Sequence, residues 1–493
     1  MSERPACLSH LQRLSAVRSD AGVRFLTPAA TPGNHCPMHT ALAFATTVPG
    51  LSTLVVGMPE CTVYSRVVAA RSHDATARHW SYVLDDSEVI FGCGEGLAAA
   101  IREMDRGGAR AIMVIFTCVP ELTGEDIEGI LYGLRPQVSA SLIPLPAGHF
   151  KCNSHPQGLR KALASLCALM EPQGAGAGRD ESGRRDAEAY RDESDCRGAG
   201  VRRDESGRRD AGARQGATTR SVNVLGWTPD TARGELPEEL QVIRNQGFHL
   251  RFLGTGTPIE GFCEAPDAVL NLVLSPWAEQ LAQEMERSFA VPFCTLCDAY
   301  GIATLDEVFA RITELLRLDA PLFSSKRREH AAILHQQAKD ALRGTRYVCA
   351  PLGEVSPIPL ALYLAELGME PLLLHIDDFA PAQRAQAQQL NAKGYDPLVC
   401  HLVNVRQDAA ALQDLDPDFC FGALPGKSPS MCLPSVGTLR TKLGYDRMIG
   451  LLELLLRAVE EKEGSANVGS SSSATTATTA TAATAAITRQ GRG

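Results

Sequence analysis

No apolar run in this 493-residue sequence reaches the roughly 18–20 residues that carry a helix across a bilayer. The opening stretch, MSERPACLSHLQRL, has no apolar core of the kind a secretory signal needs. These two absences lead us to expect a cytoplasmic protein with no membrane partner. Positive charge is short as well: 48 Lys and Arg stand against 57 Asp and Glu, a formal net charge of −9. A general nucleic-acid binder usually presents a basic surface, so no nucleic-acid partner is expected. Cysteine, by contrast, is plentiful at fifteen. The odd count and wide spacing do not fit a small disulfide scaffold, and a reducing cytosol would not keep such bridges. Two readings stay open. The thiols are either scattered small hydrophobes in a core or ligands to a soft metal centre.

The chain is too long for one compact core, and two to four domains are expected. Large apolar residues almost vanish from residues 173–220, where the nonapeptide RDESGRRDA occurs at 179–187 and again at 203–211. Such a segment cannot bury enough surface to offset its ordering entropy, and it reads as a disordered insertion. The Ser, Thr and Ala repeats of 464–493 read the same way, as an inert tail. Elsewhere short apolar runs alternate with segments of helical period. The runs are STLVVG (52–57), AIMVIF (111–116), VNVLG (222–226), YVCAPLG (347–353) and EPLLLHI (370–376). The helical segments include 94–104, 282–289, 357–368 and 446–458. This alternation predicts an α/β protein of three Rossmann-like units, each a parallel sheet with helices on both faces. The units span 20–172, 221–345 and 346–463, after an N-terminal extension at 1–19. Ligands in such folds gather outside the carboxyl ends of the strands.

Three cysteines occupy positions of that kind. Cys36 lies in TPGNHCPMHTAL before a helical pattern, Cys61 in VVGMPECTVYSR in the loop after strand 52–57, and Cys118 in VIFTCVPELTGEDIEGI directly after strand 111–116. Helix starts favour the thiolate and offer backbone N–H donors to the sulfides of an iron–sulfur cluster. Spacing alone leaves the metal reading and the buried-thiol reading both standing, because no CxxC…CxxC signature is present.

The local contexts add weight. GMPECTVYSR, FTCVPELTGEDIEGI and the FGCGEGLAAAIREM segment between them, taken as a strand-to-helix turn, resemble the cluster-binding segments of nitrogenase component 1 proteins. EAPDAVLNLVLSPWAEQLA (264–282), AVPFCTLCDAYGIATLDEVFARI (290–312) and LGYDRMIGLLELLLRAV (443–459) resemble family segments too, so the likeness spans about 20–460 apart from the insertion. It implies that Cys36, Cys61 and Cys118 each give one thiolate to an iron–sulfur cluster, [4Fe–4S] or larger. The cluster would lie between units and at a dimer interface. A four-iron cluster needs four ligands. The remaining ones would come from a homologous component 1 chain, in a homo- or heterodimer or a tetramer, or from His149 and Cys152 in PAGHFKCNSH, whose surface or structural roles are the competing reading. The resemblance also implies an ATP-dependent reductase similar to the nitrogenase iron protein, and anaerobic handling.

Other family features are missing. LNLVLSPW (270–277) resembles the segment carrying a cofactor-binding cysteine, but Ser275 stands in its place, and LPSVGTLRTKLGYD (433–446) contains no histidine. A hydroxyl is a far poorer ligand than a thiolate for iron in a sulfide cluster. Nitrogen reduction by this subunit alone is therefore not expected. CTLC (294–297) is a lone CxxC and reads as structural; GCGEG (92–96) and LGTGTP (253–258) lack the phosphate-loop ending, so no nucleotide site is expected in this chain. The leading expectation is an oxidoreductase subunit that relays electrons through the cluster to a substrate in an interdomain cleft. The alternative is a scaffold that assembles a nitrogenase-type cofactor without turnover. A binding protein with mere core thiols is the third.

Overall fold

The structure, a computed structural model, describes residues 11–17, 36–69, 74, 77–148, 155–170, 220–227, 236–350, 352, 355–376, 379, 381–400, 415–422 and 432–472. Residues 173–219 of the insertion, the end of the tail, and both His149 and Cys152 lie outside these residues. Strand β1 (Gln12–Arg13) belongs to the third sheet. The first sheet contains β2 (Leu51–Gly57), β3 (His79–Val83), β4 (Ala111–Phe116) and β5 (Ser141–Pro146), in the order β3-β2-β4-β5 and parallel throughout. Every residue of β2 and β4 is buried, which is why these strands read as unbroken apolar runs and not as alternating ones. Its helices are α1 (Pro37–Ala45), α2 (Pro59–Ala69), α3 (Asp86–Phe91), α4 (Gly94–Arg106), α5 (Cys118–Thr123), α6 (Ile127–Leu134) and α7 (His155–Ser165).

The second sheet, β7-β6-β8-β9, is also parallel and comprises β6 (Ser221–Trp227), β7 (His249–Gly254), β8 (Ala268–Val273) and β9 (Phe293–Thr295). With it go α8 (Glu238–Asn245), α9 (Ile259–Cys263), α10 (Glu279–Phe289), α11 (Ile302–Leu316) and α12 (Ser325–Ala341). The third sheet has the order β1-β12-β11-β10-β13-β14. Its strands β10 (Arg346–Cys349), β11 (Glu370–His375), β12 (Leu398–Cys400), β13 (Phe419–Phe421) and β14 (Cys432–Leu433) are parallel, while β1 closes one edge antiparallel to β12. Helices α13 (Pro357–Glu366), α14 (Pro381–Ala392) and α15 (Gly444–Ser472) complete it. The expected α/β plan of parallel sheets covered by helices is thus present.

Two apolar cores join the units. One contains Met38 and Val55 of the first unit with Leu225 and Leu281 of the second. The other contains Val224 and Phe309 of the second with Tyr347, Phe421 and Leu452 of the third. Among the described residues, no helix is long and apolar enough to cross a membrane.

Outside the cysteine positions, the structure differs from the sequence reading in three places. GCGEG joins two helices and does not leave a strand. Asp85 caps α3 by accepting the Glu88 N–H at 2.9 Å while its own N–H donates to Glu88 Oε2 at 3.1 Å, so 86–91 closes into a helical turn before Gly92. The 1–19 segment supplies the edge strand β1. Finally, α15 runs to Ser472, beyond the 463 boundary expected for the third unit.

Candidate functional site

Cys36 immediately precedes α1, and Pro37 fills the first helical position, where a missing N–H costs nothing. The Cys36 carbonyl accepts the His39 N–H at 3.2 Å. Gly158 of α7 lies so close that a Cβ there would overlap the Pro37 carbonyl. Since α7 follows β5, its first turns stand at the carboxyl edge of the first sheet. The contact puts the start of α1, and with it Cys36, at that edge.

Cys61 is not in a loop, contrary to the sequence reading. Helix α2 starts at Pro59, two residues past the end of β2, and Cys61 sits in its first turn with its N–H donating to Met58 O at 3.0 Å. Proline presets helical φ, and Glu60 complements the dipole, so the helix begins earlier than the apolar pattern suggested. Cys118 opens α5, one residue after Thr117, whose hydroxyl donates to Val56 O at 3.0 Å. A Cβ on Gly57 would overlap that hydroxyl, so glycine is what lets the ends of β2 and β4 lie side by side. Gly148, two residues past β5, packs against the Cys118 backbone and the Glu121 carboxylate.

A ring contact links the first two positions. His39 and Tyr64 have centroids 4.3 Å apart, and each follows a candidate cysteine by three residues, one turn along the same helical face. All three cysteines are half-buried. Cys36 and Cys61 rest against the core shared by the first and second units. The three thus stand on neighbouring helix starts at one sheet edge. Among the described residues, no group of three or more His, Cys, Asp or Glu closes around a single metal ion. A cluster spreads its thiolates over several irons, so the soft donors and their placement fit a cluster better than a mononuclear cage.

Four of the other described thiols hold their protons tightly. Burial pushes Cys93 up to about 12, helped by the Glu125 carboxylate, and burial likewise raises Cys294, Cys297 and Cys349. The CxxC pair faces two different cores, Cys294 into one and Cys297 into the other, as a structural pair would. Ser275 is buried and caps the turn Pro276–Ala278, accepting the Trp277 N–H at 3.4 Å. Sequence reasoning missed Glu121, one turn beyond Cys118, whose carboxylate oxygens are buried with no hydrogen-bond partner among the described residues. It also missed a polar cavity where the three units meet, lined by Arg160, Glu279, Asp298 and Ser356 among others. Polar lining residues leave no periodic signal, and these four come from four separate places along the chain: α7, the start of α10, the loop after β9 and the residue before α13.

The family model for nitrogenase component 1 type oxidoreductases matches residues 36–459, beginning at the first candidate cysteine. The chain belongs to this family. Over 152 residues it is 26% identical to the nitrogenase iron-molybdenum cofactor biosynthesis protein NifE of Bradyrhizobium diazoefficiens, a match covering 30% of this chain and 28% of that protein. The match therefore spans little more than a quarter of that relative's length. A solved structure described as nitrogenase Cp1 at pH 6.5 superposes with a TM-score of 0.57 at 16% identity, covering 89% of this chain and 94% of the other. That likeness fixes the component 1 fold. Members of this family bind clusters of the iron–sulfur type, which is the chemistry the three edge cysteines offer.

Proposed function

We propose that this chain is one subunit of a nitrogenase-like oxidoreductase in which Cys36, Cys61 and Cys118 hold an iron–sulfur cluster shared with a second component 1 chain. The observation that carries the reading is the gathering of three half-buried cysteines on adjoining helix starts of one sheet edge. Helix dipoles and free N–H groups at such starts stabilise thiolates and sulfide charge. When bound, the cluster would accept electrons from an ATP-dependent iron–sulfur reductase and pass them on to a substrate. The chain's own residues have narrower tasks. Cys36 and Cys61 anchor the cluster to the core between units, and the Gly57–Thr117 junction fixes Cys118 beside them. His149 and Cys152 follow Gly148, which packs on Cys118, and are the local candidates for a further ligand. The setting proposed is cytoplasmic and anaerobic.

A second reading, a scaffold that assembles a nitrogenase-type cofactor and hands it on, is favoured by the NifE likeness and by the capping role of Ser275. Anaerobic purification with a second component 1 chain and a reductase separates the two. ATP-dependent product formation supports the oxidoreductase. Iron transferred to an acceptor protein without turnover supports the scaffold. Colourless, iron-free protein refutes both.

A further inference from the structure

A cavity of about 570 Å³ lies where all three units converge. Its walls come from the carboxyl side of several strands. Arg160 is on α7 after β5, Pro276 and Glu279 follow β8, Asp298 follows β9, Ser356 follows β10, and Gln383 and Gln386 lie on α14 after β11. That is the place where open α/β sheets bind ligands, and the size falls within the range of about 300–1,000 Å³ typical of small-molecule sites. A second cavity, of about 520 Å³, opens at the opposite edge beside Arg110 and Ser141, and has no such setting.

The lining of the first cavity decides what it can hold. Among the described residues its lining contains no cysteine or histidine, and so no soft ligand to a metal. Among the described residues its polar groups are side-chain amides, hydroxyls and charges, with three carboxylates (Glu279, Glu284 and Asp298) against the guanidinium of Arg160. Asp298 is only partly compensated. Ser356 Oγ donates to its Oδ2 at 2.9 Å, but its Oδ1 is buried with no hydrogen-bond partner among the described residues. The nearby Arg447, whose charge favours ionised Asp298, donates from its two terminal nitrogens to Cys297 O at 2.5 Å and the Tyr300 hydroxyl at 3.0 Å, and makes no hydrogen bond to Asp298 among the described residues. Glu279 receives Gln283 Nε2 at 3.3 Å. Burial raises both Glu279 and Asp298 even though Arg160 opposes the rise at each, and a further cation in the cavity would favour the ionised carboxylates.

We propose that this cavity binds a small polar organic molecule through a protonated amine, held by Asp298 and Glu279. An iron–sulfur cluster with thiolate ligands carries net negative charge and is the wrong occupant for these walls. In the oxidoreductase reading the amine-bearing molecule is the substrate, and to that extent the inference rests on that reading; the binding itself requires no cluster.

Three four-carbon probes of matched length isolate the chemistry: 1,4-diaminobutane, succinate and butane-1,4-diol. Each is titrated calorimetrically into the anaerobically purified full chain at neutral pH, with iron quantified in the same sample. The diamine should bind, and succinate and the diol should bind at least about tenfold more weakly, as follows from losing a charge-assisted hydrogen bond. Asp298→Asn and Glu279→Gln, both near-isosteric, should each weaken the diamine by about tenfold or more and leave the unfolding midpoint within a few degrees. Preference for succinate would mean that Arg160 governs the site and would overturn the proposal, as would no diamine binding or a diamine affinity unmoved by either substitution. Diamine binding without iron refutes the cluster reading alone. Iron without diamine binding refutes this inference alone.

Discussion

Two glycines hold the cysteine-bearing helix starts together, and each is required by a close approach. At Gly57 any Cβ meets the Thr117 hydroxyl, which is already engaged with Val56 O. At Gly158 it meets the backbone carbonyl of Pro37, next to Cys36, and backbone cannot swing aside as a flexible side chain can. Overpacking of this kind costs about 1–3 kcal/mol. Gly158→Ala should therefore lower the unfolding free energy by about that much and reduce iron per chain, whereas Gly133→Ala, which meets only open space, should do neither. Denaturant unfolding and iron analysis of the two variants check this. At this scale the apolar runs that end just before Cys61 and Cys118 marked strand ends in the sequence, while Cys36 was placed only by the helical pattern that follows it. It did not reveal that Cys61 lies within a helix, since Pro59 starts α2 before the apolar period becomes visible. Nor did it reveal Glu121 or Asp298, whose importance comes from neighbours far along the chain.

Among the elements, α15 helps tie the third unit to the second, through polar groups as well as through Leu452 and its apolar neighbours. Arg447 on α15 is buried, lies over the Tyr300 ring at 5.2 Å, and donates to Cys297 O and the Tyr300 hydroxyl. Arg447→Met should destabilise by about 2–4 kcal/mol, because the carbonyl and hydroxyl lose a charged donor and Asp298 loses a nearby positive charge. Chemical denaturation at constant pH measures it. The first residue of α15, Gly444, packs against the Glu239 carboxylate of α8. Burial pushes that carboxyl up to about 7, with Asp446 and Glu238 adding to the rise. A raised folded-state value means that the native chain holds this proton more tightly than the unfolded one. The associated stability is fully present below the ordinary Glu value near 4.5 and is lost as pH rises through about 7. Glu239→Gln should flatten stability between pH 5 and 8, gaining up to about 3 kcal/mol at the upper end. Parallel pH profiles for parent and variant would reveal no difference if the carboxyl titrated normally. The 446–458 helix was legible from its period; the charge beneath its start was not, because Glu239 looks like ordinary helix-start chemistry in α8.

At the scale of the whole molecule, the described residues form three sheets, parallel except at the β1 edge, whose cores cross unit boundaries. Val55 packs in one core with Leu225 and Leu281, and Val224 in the other with Tyr347 and Leu452. Units joined this way should not melt independently. Calorimetry should give one main transition with van't Hoff and calorimetric enthalpies in agreement; three resolved transitions would show that the shared cores contribute little. The α/β plan was readable because buried parallel strands such as β4 are continuous apolar runs. The sharing of cores was not, since it depends on how separate sheets face one another. The cluster assignment draws on all three scales at once, and one comparison tests it most directly. Iron content and the visible absorption spectrum are measured on anaerobically purified protein, co-expressed with a second component 1 chain, for the parent and for the Cys36→Ser, Cys61→Ser, Cys118→Ser triple variant. Brown, iron-containing parent and colourless, iron-free but folded variant is the expected result. Iron and colour that survive all three substitutions would contradict it.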